Sequence, residues 1–186
     1  MNFEWKLFQF TMRDCTQLAR CVASCRQLRV LELHRSHVDD ERCRVLIANL
    51  LDHPSLERLN LEHNAIGDRG ARAVGKLLNG HSPRLAHVNL SNNDIRPAGA
   101  LALAHALVRN TALVSLDLRL NHLQDEGAQA LCKALLKNAT LRELDLSGNE
   151  LSELSAALVA QVLLQNSTLT RLDLSCNALG LVCAQI

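Results

Sequence analysis

The sequence predicts an α/β fold, a curved solenoid with a parallel sheet on the concave side and helices on the convex side. Three observations carry this expectation. First, one apolar motif recurs in a single register. LERLNLEHNAI (56–66), LAHVNLSNNDI (85–95), LVSLDLRLNHL (113–123), LRELDLSGNEL (141–151) and LTRLDLSCNAL (169–179) all read L-x-x-[LV]-x-L-x-x-N-x-[LI]. An earlier copy, LRVLELHRSHV (28–38), keeps the apolar positions and has Ser36 in place of Asn; successive copies start 28 or 29 residues apart. Second, the stretch behind each copy has apolar residues at helical spacing. Third, 39 of the 186 residues are leucine and only 2% are aromatic. A core of Leu, Ala, Val and Ile is what one small unit packed many times requires.

Taken in order, the chain opens on a degenerate copy. One period before the first clear motif, Phe3, Trp5, Phe8 and Phe10 fall on the second Leu, third Leu, Asn and final Leu positions. Residues 14–25 then fit the helical half, with Leu18 and Val22 inward. Residues 1–27 thus read as a degenerate N-terminal repeat acting as an aromatic-rich cap, since an end repeat has one face without a neighbour. A docking surface for a partner, or for an upstream segment, is the alternative use of the same aromatics. Residues 28–179 form the regular repeats, and 180–186 read as an incomplete C-terminal end. That end is expected to fray or associate, with Leu172, Leu174 and Leu179 beside it.

Within each repeat, alternation along a short strand points pairs such as Leu59 and Leu61 inward. Asn64 then ends the strand where the chain bends, and its amide can bond backbone groups that the bend leaves unpaired. Asn93, Asn121, Asn149 and Asn177 repeat it, which predicts a structural turn ladder. GARAVGKLL (70–78), GALALAHAL (99–107) and GAQALCKAL (127–135) share G-A-x-x-[LV]-x-x-x-L and predict helices. Their small first residues let each helix sit close to the strand layer. Ser155 replaces that Gly in the next copy, where a looser approach is expected. The segments Asn138-Ala139-Thr140 and Asn166-Ser167-Thr168 match a glycosylation pattern, but both occupy one repeat position and read as polar returns into the next strand.

The outward strand positions define a surface. Its central column is Glu32, Asn60, Asn89, Asp117, Asp145 and Asp173. Val30, Arg58, His87, Ser115, Glu143 and Arg171 flank it on one side. His34, Glu62, Ser91, Arg119, Ser147 and Ser175 flank it on the other. This is either a plain solvated face or a polar, partly acidic groove for a basic segment of another protein. It has no aromatic anchors, so a contact there is expected to be electrostatically guided.

Several function classes find little support. Twenty Lys+Arg against nineteen Asp+Glu give a formal net charge of +1, no basis for nucleic acid or an anionic membrane as partner. No apolar run approaches the roughly 18 residues of a membrane span, and the first residues do not read as a signal peptide. The seven cysteines are odd in number and irregular in spacing, as free thiols in a reducing compartment would be. GARAVGKL (70–77) nearly matches a phosphate-binding loop, but Leu77 replaces the required hydroxyl and the segment aligns with an ordinary repeat helix. Cys21, Cys25, His34 and His37 make a weak zinc set that small-residue packing explains better. Asp117, Asp145 and Asp173 share one strand position and are not an acid–base pair of distinct environments. The expectation is therefore no enzyme, no cofactor, no metal and no small-molecule substrate, with other proteins as partners.

The motif resembles the leucine-rich repeat, and its long strand–helix period resembles the ribonuclease-inhibitor type, although the Asn position here is not alternately Cys. NFEWKLFQFTMRDC (2–15), CRVLIANLLDHPSLERLNLEHNAIGDRGARA (43–73), LVSLDLRLNHLQDEGAQAL (113–131) and LLQNSTLTRLDLSCNALG (163–180) further resemble the dynein regulatory complex subunit 5 family. That resemblance implies a non-catalytic scaffold and regulatory part of the nexin–dynein regulatory complex. This complex links doublet microtubules and controls dynein-driven sliding. The implied partners are other dynein regulatory complex subunits. The implied location is cytoplasm and cytoskeleton, in the axoneme of a cilium or flagellum. The alternative is a soluble cytoplasmic repeat module that inhibits or senses a partner protein.

Overall fold

The computed structural model describes residues 1–6, 10–80 and 84–180. Strand and helix alternate along it: β1 (Asn2–Lys6), α1 (Met12–Ser24), β2 (Val30–His34), α2 (Asp40–Ala48), β3 (Arg58–Asn60), α3 (Asp68–Asn79), β4 (His87–Asn89), α4 (Pro97–Leu107), β5 (Ser115–Asp117), α5 (Gln124–Leu135), β6 (Glu143–Asp145), α6 (Glu153–Gln165) and β7 (Arg171–Asp173). All strands join one parallel sheet in the order β1 to β7. The register puts Phe3, Leu31, Leu59, Val88, Leu116, Leu144 and Leu172 in one row across the sheet. Every inward strand position of one repeat therefore stacks on its equivalent in the next.

The curvature follows from two spacings. Neighbouring strands lie about 4.8 Å apart, whereas packed helices need about 8–10 Å. A stack with one strand and one helix per layer must bend with the sheet inside. The core lies between the two layers. Leu31, Leu33, Leu59, Leu61, Leu116, Leu118, Leu144 and Leu146 are buried from the sheet side, and Val74, Leu77, Leu103, Leu107, Leu131, Leu135 and Val159 from the helix side. Each such side chain contributes roughly 1.5–3 kcal/mol of transfer free energy. Leu172 in β7 and Leu174 just after it are only partly buried, while Leu179 is buried.

At the N-terminal end Phe3 is half-buried and Phe10 buried. The backbone of Trp5 pairs with Leu33; its side chain, like Phe8, lies outside the described residues. Residues 181–186 do too. The turns after β2 to β7 share one left-handed position, held by Arg35, His63, Asn92, Leu120, Gly148 and Cys176, with φ between 51° and 63°. Each stands immediately before the Asn position of its repeat, or before Ser36 in the first.

The two early helices cap themselves. Thr11 and Asp14 form a capping box on α1, and the Asp39 carboxylate accepts from Arg42 N on α2. Three later helices, α3, α4 and α6, receive a carboxylate from the neighbouring repeat, and Ser152 also caps α6 through Leu154 N. Asp40 in α2 accepts from Gly67 N and Gly70 N at the start of α3. Asp68 in α3 accepts from Arg96 N and Gly99 N at the start of α4. Asp125 in α5 accepts from Ser152 N and from the Ser152 and Ser155 hydroxyls at α6. Ser155, where a looser approach is expected, is buried and its hydroxyl donates to Asp125, while α6 packs less closely on α5 than α5 does on α4. Pro97 occupies the equivalent position in α4 and can offer α5 no carboxylate.

Candidate protein-binding face

The concave face is built by strand register. Glu32, Asn60, Asn89, Asp117, Asp145 and Asp173 pair successively across β2 to β7 and are all half-buried. Glu4 in β1 pairs with Glu32 and extends the column by one rung. Five of its members also do local work. Asn60, Asn89, Asp117, Asp145 and Asp173 each accept through Oδ1 from the backbone N–H two residues on, at 2.9–3.1 Å. Asn and Asp recur here because either side chain closes this Asx turn at the strand end. One carboxylate oxygen of each Asp remains for other contacts. Sequence reasoning missed this turn, although the Asn/Asp-only run from 60 to 173 signals it.

The electrostatics along the column are uneven. Burial raises the Asp117 pKa, and the charges of Asp145 and Glu62 add to that; the Arg119 N–H and guanidinium act in the opposite sense. Arg119 Nε stands 3.4 Å from an Asp117 oxygen. Asp173, more open, has its pKa lowered by hydrogen bonds from Ser175. Burial, then the charge of Arg58, lowers the pKa of His87. Asp117, Arg119, Asp145 and Arg171 line a shallow hollow of about 180 Å³.

The turn asparagines sit beneath this face. Asn64 Nδ2 donates to Leu33 O, Leu61 O and Glu62 O, and its Oδ1 accepts from Ser36 N and Val38 N. Asn93, Asn121, Asn149 and Asn177 likewise donate to the preceding repeat, at Leu61 O, Leu90 O, Leu118 O and Leu146 O. Asn93, Asn121 and Asn149 are buried. A second ladder lies at the other end of the strands. Asn110, Asn138 and Asn166 donate to Leu78 O, Leu107 O and Leu135 O and accept from the N–H groups of the next strand entry. The amides of Asn138 and Asn166 are thus committed to the backbone and not presented as sugar acceptors. Their 28-residue spacing was the available signal.

The other candidate chemistries meet specific obstacles. Gly70 and Gly75 lie inside α3, where a Cβ on Gly75 would stand 3.0 Å from the Ala102 carbonyl, so the segment is no phosphate loop. Cys25 Sγ faces Met1 Sδ at 3.6 Å, and the cysteine–histidine set does not assemble. Among the described residues, Glu4, Glu32 and His34 bring ligand atoms within 4.8 Å of one another. There His34 Nε2 lies 3.2 Å from Glu4 Oε1, an ordinary hydrogen-bonded pair. The six described cysteines are free, and burial pushes the Cys15 and Cys132 thiols up to about 11 and the Cys43 thiol higher still. Such thiols are poor nucleophiles at neutral pH. No helix among the described residues is long and apolar enough to cross a membrane.

A sheet of repeated rungs backed by helices, with Asn at one position in five successive turns, defines a class. The leucine-rich repeat family model matches residues 52–75, 81–104, 109–132, 137–154 and 165–182. The chain belongs to the leucine-rich repeat family. Among curated proteins it is 58% identical over 116 residues to dynein regulatory complex subunit 5 of Macaca fascicularis, covering 62% of this chain and 23% of that one. The human protein of the same name is 56% identical over 77 residues, 41% of this chain and 15% of that one. The chain thus spans a quarter or less of the length of these relatives. Among solved structures, leiomodin-1 actin-binding site 2 superposes with a TM-score of 0.63 at 25% identity, covering 73% of this chain and 76% of that one.

Proposed function

We propose that this chain is a non-catalytic scaffold and regulatory module of the nexin–dynein regulatory complex in the axoneme of motile cilia and flagella. The observation that carries this reading is the 58% identity over 116 residues to dynein regulatory complex subunit 5. The concave column supplies the mode of action. Glu32, Asp117, Asp145 and Asp173 present acidic groups along one polar face, suited to a basic segment of another subunit. Work is done by holding partners, not by turnover.

The experiment replaces Asp117, Asp145 and Asp173 together by Asn. Each Asn keeps the Oδ1 acceptor that its Asx turn needs, so the fold is retained while three charges leave one surface. The triple variant should incorporate into axonemes less well and with weaker salt dependence. Equal incorporation at every salt concentration removes the concave face as the docking site. Recovery of the wild-type chain from cytosol, with none in salt-extracted axonemes, removes the axonemal reading itself.

A further inference from the structure

The helical face differs in character from the sheet face. Arg69, Arg72, Lys76, Lys133 and Lys137 are exposed on α3, α5 and the turn after α5, and none has a carboxylate within ion-pair distance among the described residues. Several acidic groups of this layer are already engaged, while Glu126 on α5 and Glu153 on α6 stand exposed. Asp40, Asp68 and Asp125 cap neighbouring helices, and Glu41 pairs with Arg44 at 2.7 Å. The net charge of +1 therefore covers an acidic sheet face and a helical layer with exposed, unpaired cations on α3, α5 and the turn after α5.

Between α4 and α5 this layer opens into an apolar trough of about 990 Å³. Its walls are Leu101, Ala104, Val108, Ala130, Ala134 and Leu136. Leu101 and Val108 are 46% and 39% exposed, a poor state for large apolar side chains in water. The alanines are short, which leaves the hollow. Arg96, His105, Lys133 and Lys137 stand along it against two carboxylates, Glu126 and the cap-bound Asp68, so its rim is basic on balance. The neighbouring furrows are unlike it. Gly75 lets α3 close against the Ala102 carbonyl of α4, and the α2–α3 furrow is walled by Arg44, Arg69, Arg72 and Lys76.

We infer that the α4–α5 trough is a docking site for an acidic amphipathic helix of a partner protein. The apolar stripe of that helix fills the trough between Leu101 and Ala130, and its carboxylates meet Lys133, Lys137 and His105. Helices of 11 and 12 residues give a trough about 17 Å long, three turns of a guest helix. Charge selects this occupant over a basic one, since the trough lies in a face whose cations lack partners. The inference stands apart from the axonemal reading, because it concerns a different face and needs no named complex.

The test is a phage selection of random peptides of about 16 residues on the full chain, with parallel selection on Leu101→Asp. Enriched peptides should carry Leu, Ile or Phe at i, i+3/i+4 and i+7, with Asp and Glu beside them. A fluorescein-labelled consensus peptide should bind the wild type saturably. Leu101→Asp, and Lys133→Glu with Lys137→Glu, should each weaken it at least about tenfold at unchanged melting temperature, as substitutions of exposed side chains leave the core intact. The lysine double variant should instead favour the Glu→Lys version of the peptide. Equal enrichment on Leu101→Asp, enriched peptides that are neutral or basic, or binding indifferent to the charge reversal would each overturn the proposal. So would sedimentation showing a dimer that Leu101→Asp dissolves, since the occupant would then be a second copy.

Discussion

Leu120 carries a backbone cost that its neighbours show how to remove. It holds φ at 54° and is 53% exposed, while Gly148 holds the same turn position one repeat on. A non-glycine residue in this region costs about 1 kcal/mol, and Asn tolerates it better than Leu. Leu120→Asn should therefore raise stability by about 0.5–1 kcal/mol, read as a higher urea midpoint at constant slope. The next residue tests the ladder. Asn121 is 2% exposed and its amide reaches Leu90 O, Leu118 O and Ile95 N. Asn121→Ala should cost about 2–3 kcal/mol and Asn60→Ala, which loses one half-exposed turn bond, nearer 0.5–1. Equal midpoints would contradict this ordering. Two carboxylates should also respond to pH with opposite signs. The Asp125 pKa is raised by burial but lowered on balance by hydrogen bonds from Ser152 and Ser155. It stabilises the fold above the usual carboxylate pKa and loses that as pH falls through its own. The Asp117 pKa is raised, so its ionisation disfavours the fold above the usual carboxylate range and does nothing below it. Asp125→Asn should lower stability at neutral pH and Asp117→Asn should raise it; the Asp117 difference should fade as pH falls toward about 4, and the Asp125 difference only below about pH 4. At this scale the turn asparagines were legible because spacing exposed them. The left-handed positions were not: only one of the six is glycine, and the turn's tertiary role sets their conformation.

Among helices, α5 is the exception worth altering. α3, α4 and α6 each receive a carboxylate from the preceding repeat, whereas Pro97 stands where α5 would find one. Pro97→Asp should supply that acceptor and raise stability by about 1 kcal/mol, and Asp68→Ala should lower it by a similar amount or more at α4. Thermal melts of both variants check the pair, and a destabilised Pro97→Asp would show that the rigid proline outweighs the missing cap. The helices themselves were legible from G-A-x-x-[LV]-x-x-x-L. Their caps were not, because the acceptor lies in one repeat and the donors in the next. Asp40, Asp68 and Asp125 recur in register, but that recurrence acquires meaning only when helices stand side by side. Ser155 illustrates the same point: from the sequence it looked like a lapse from Gly, and the neighbour's Asp125 turns it into a bonded residue.

For the whole molecule, the repeat made the architecture legible. Once Leu31, Leu59, Val88, Leu116, Leu144 and Leu172 share a row, strand order, handedness of stacking and the outward columns all follow. The apolar trough was not legible, because Leu101, Val108 and Ala130 occupy helix positions that the shared motif leaves free. A balanced composition also conceals the acidic column of the sheet face and the unpaired cations beside the trough. The stacking has one further consequence, which is mechanical. Strand pairing and both asparagine ladders run along the solenoid axis, so tension applied between the ends loads one rung at a time. Rungs should peel away in sequence and not shear together. Each released unit of 28 or 29 residues pays out about 95 Å of extended chain. Single-molecule stretching should give a sawtooth with that increment. A single large rip would mean that the layers share load. Peeling of this kind would make the chain a strap that lengthens in fixed steps and re-forms as tension falls.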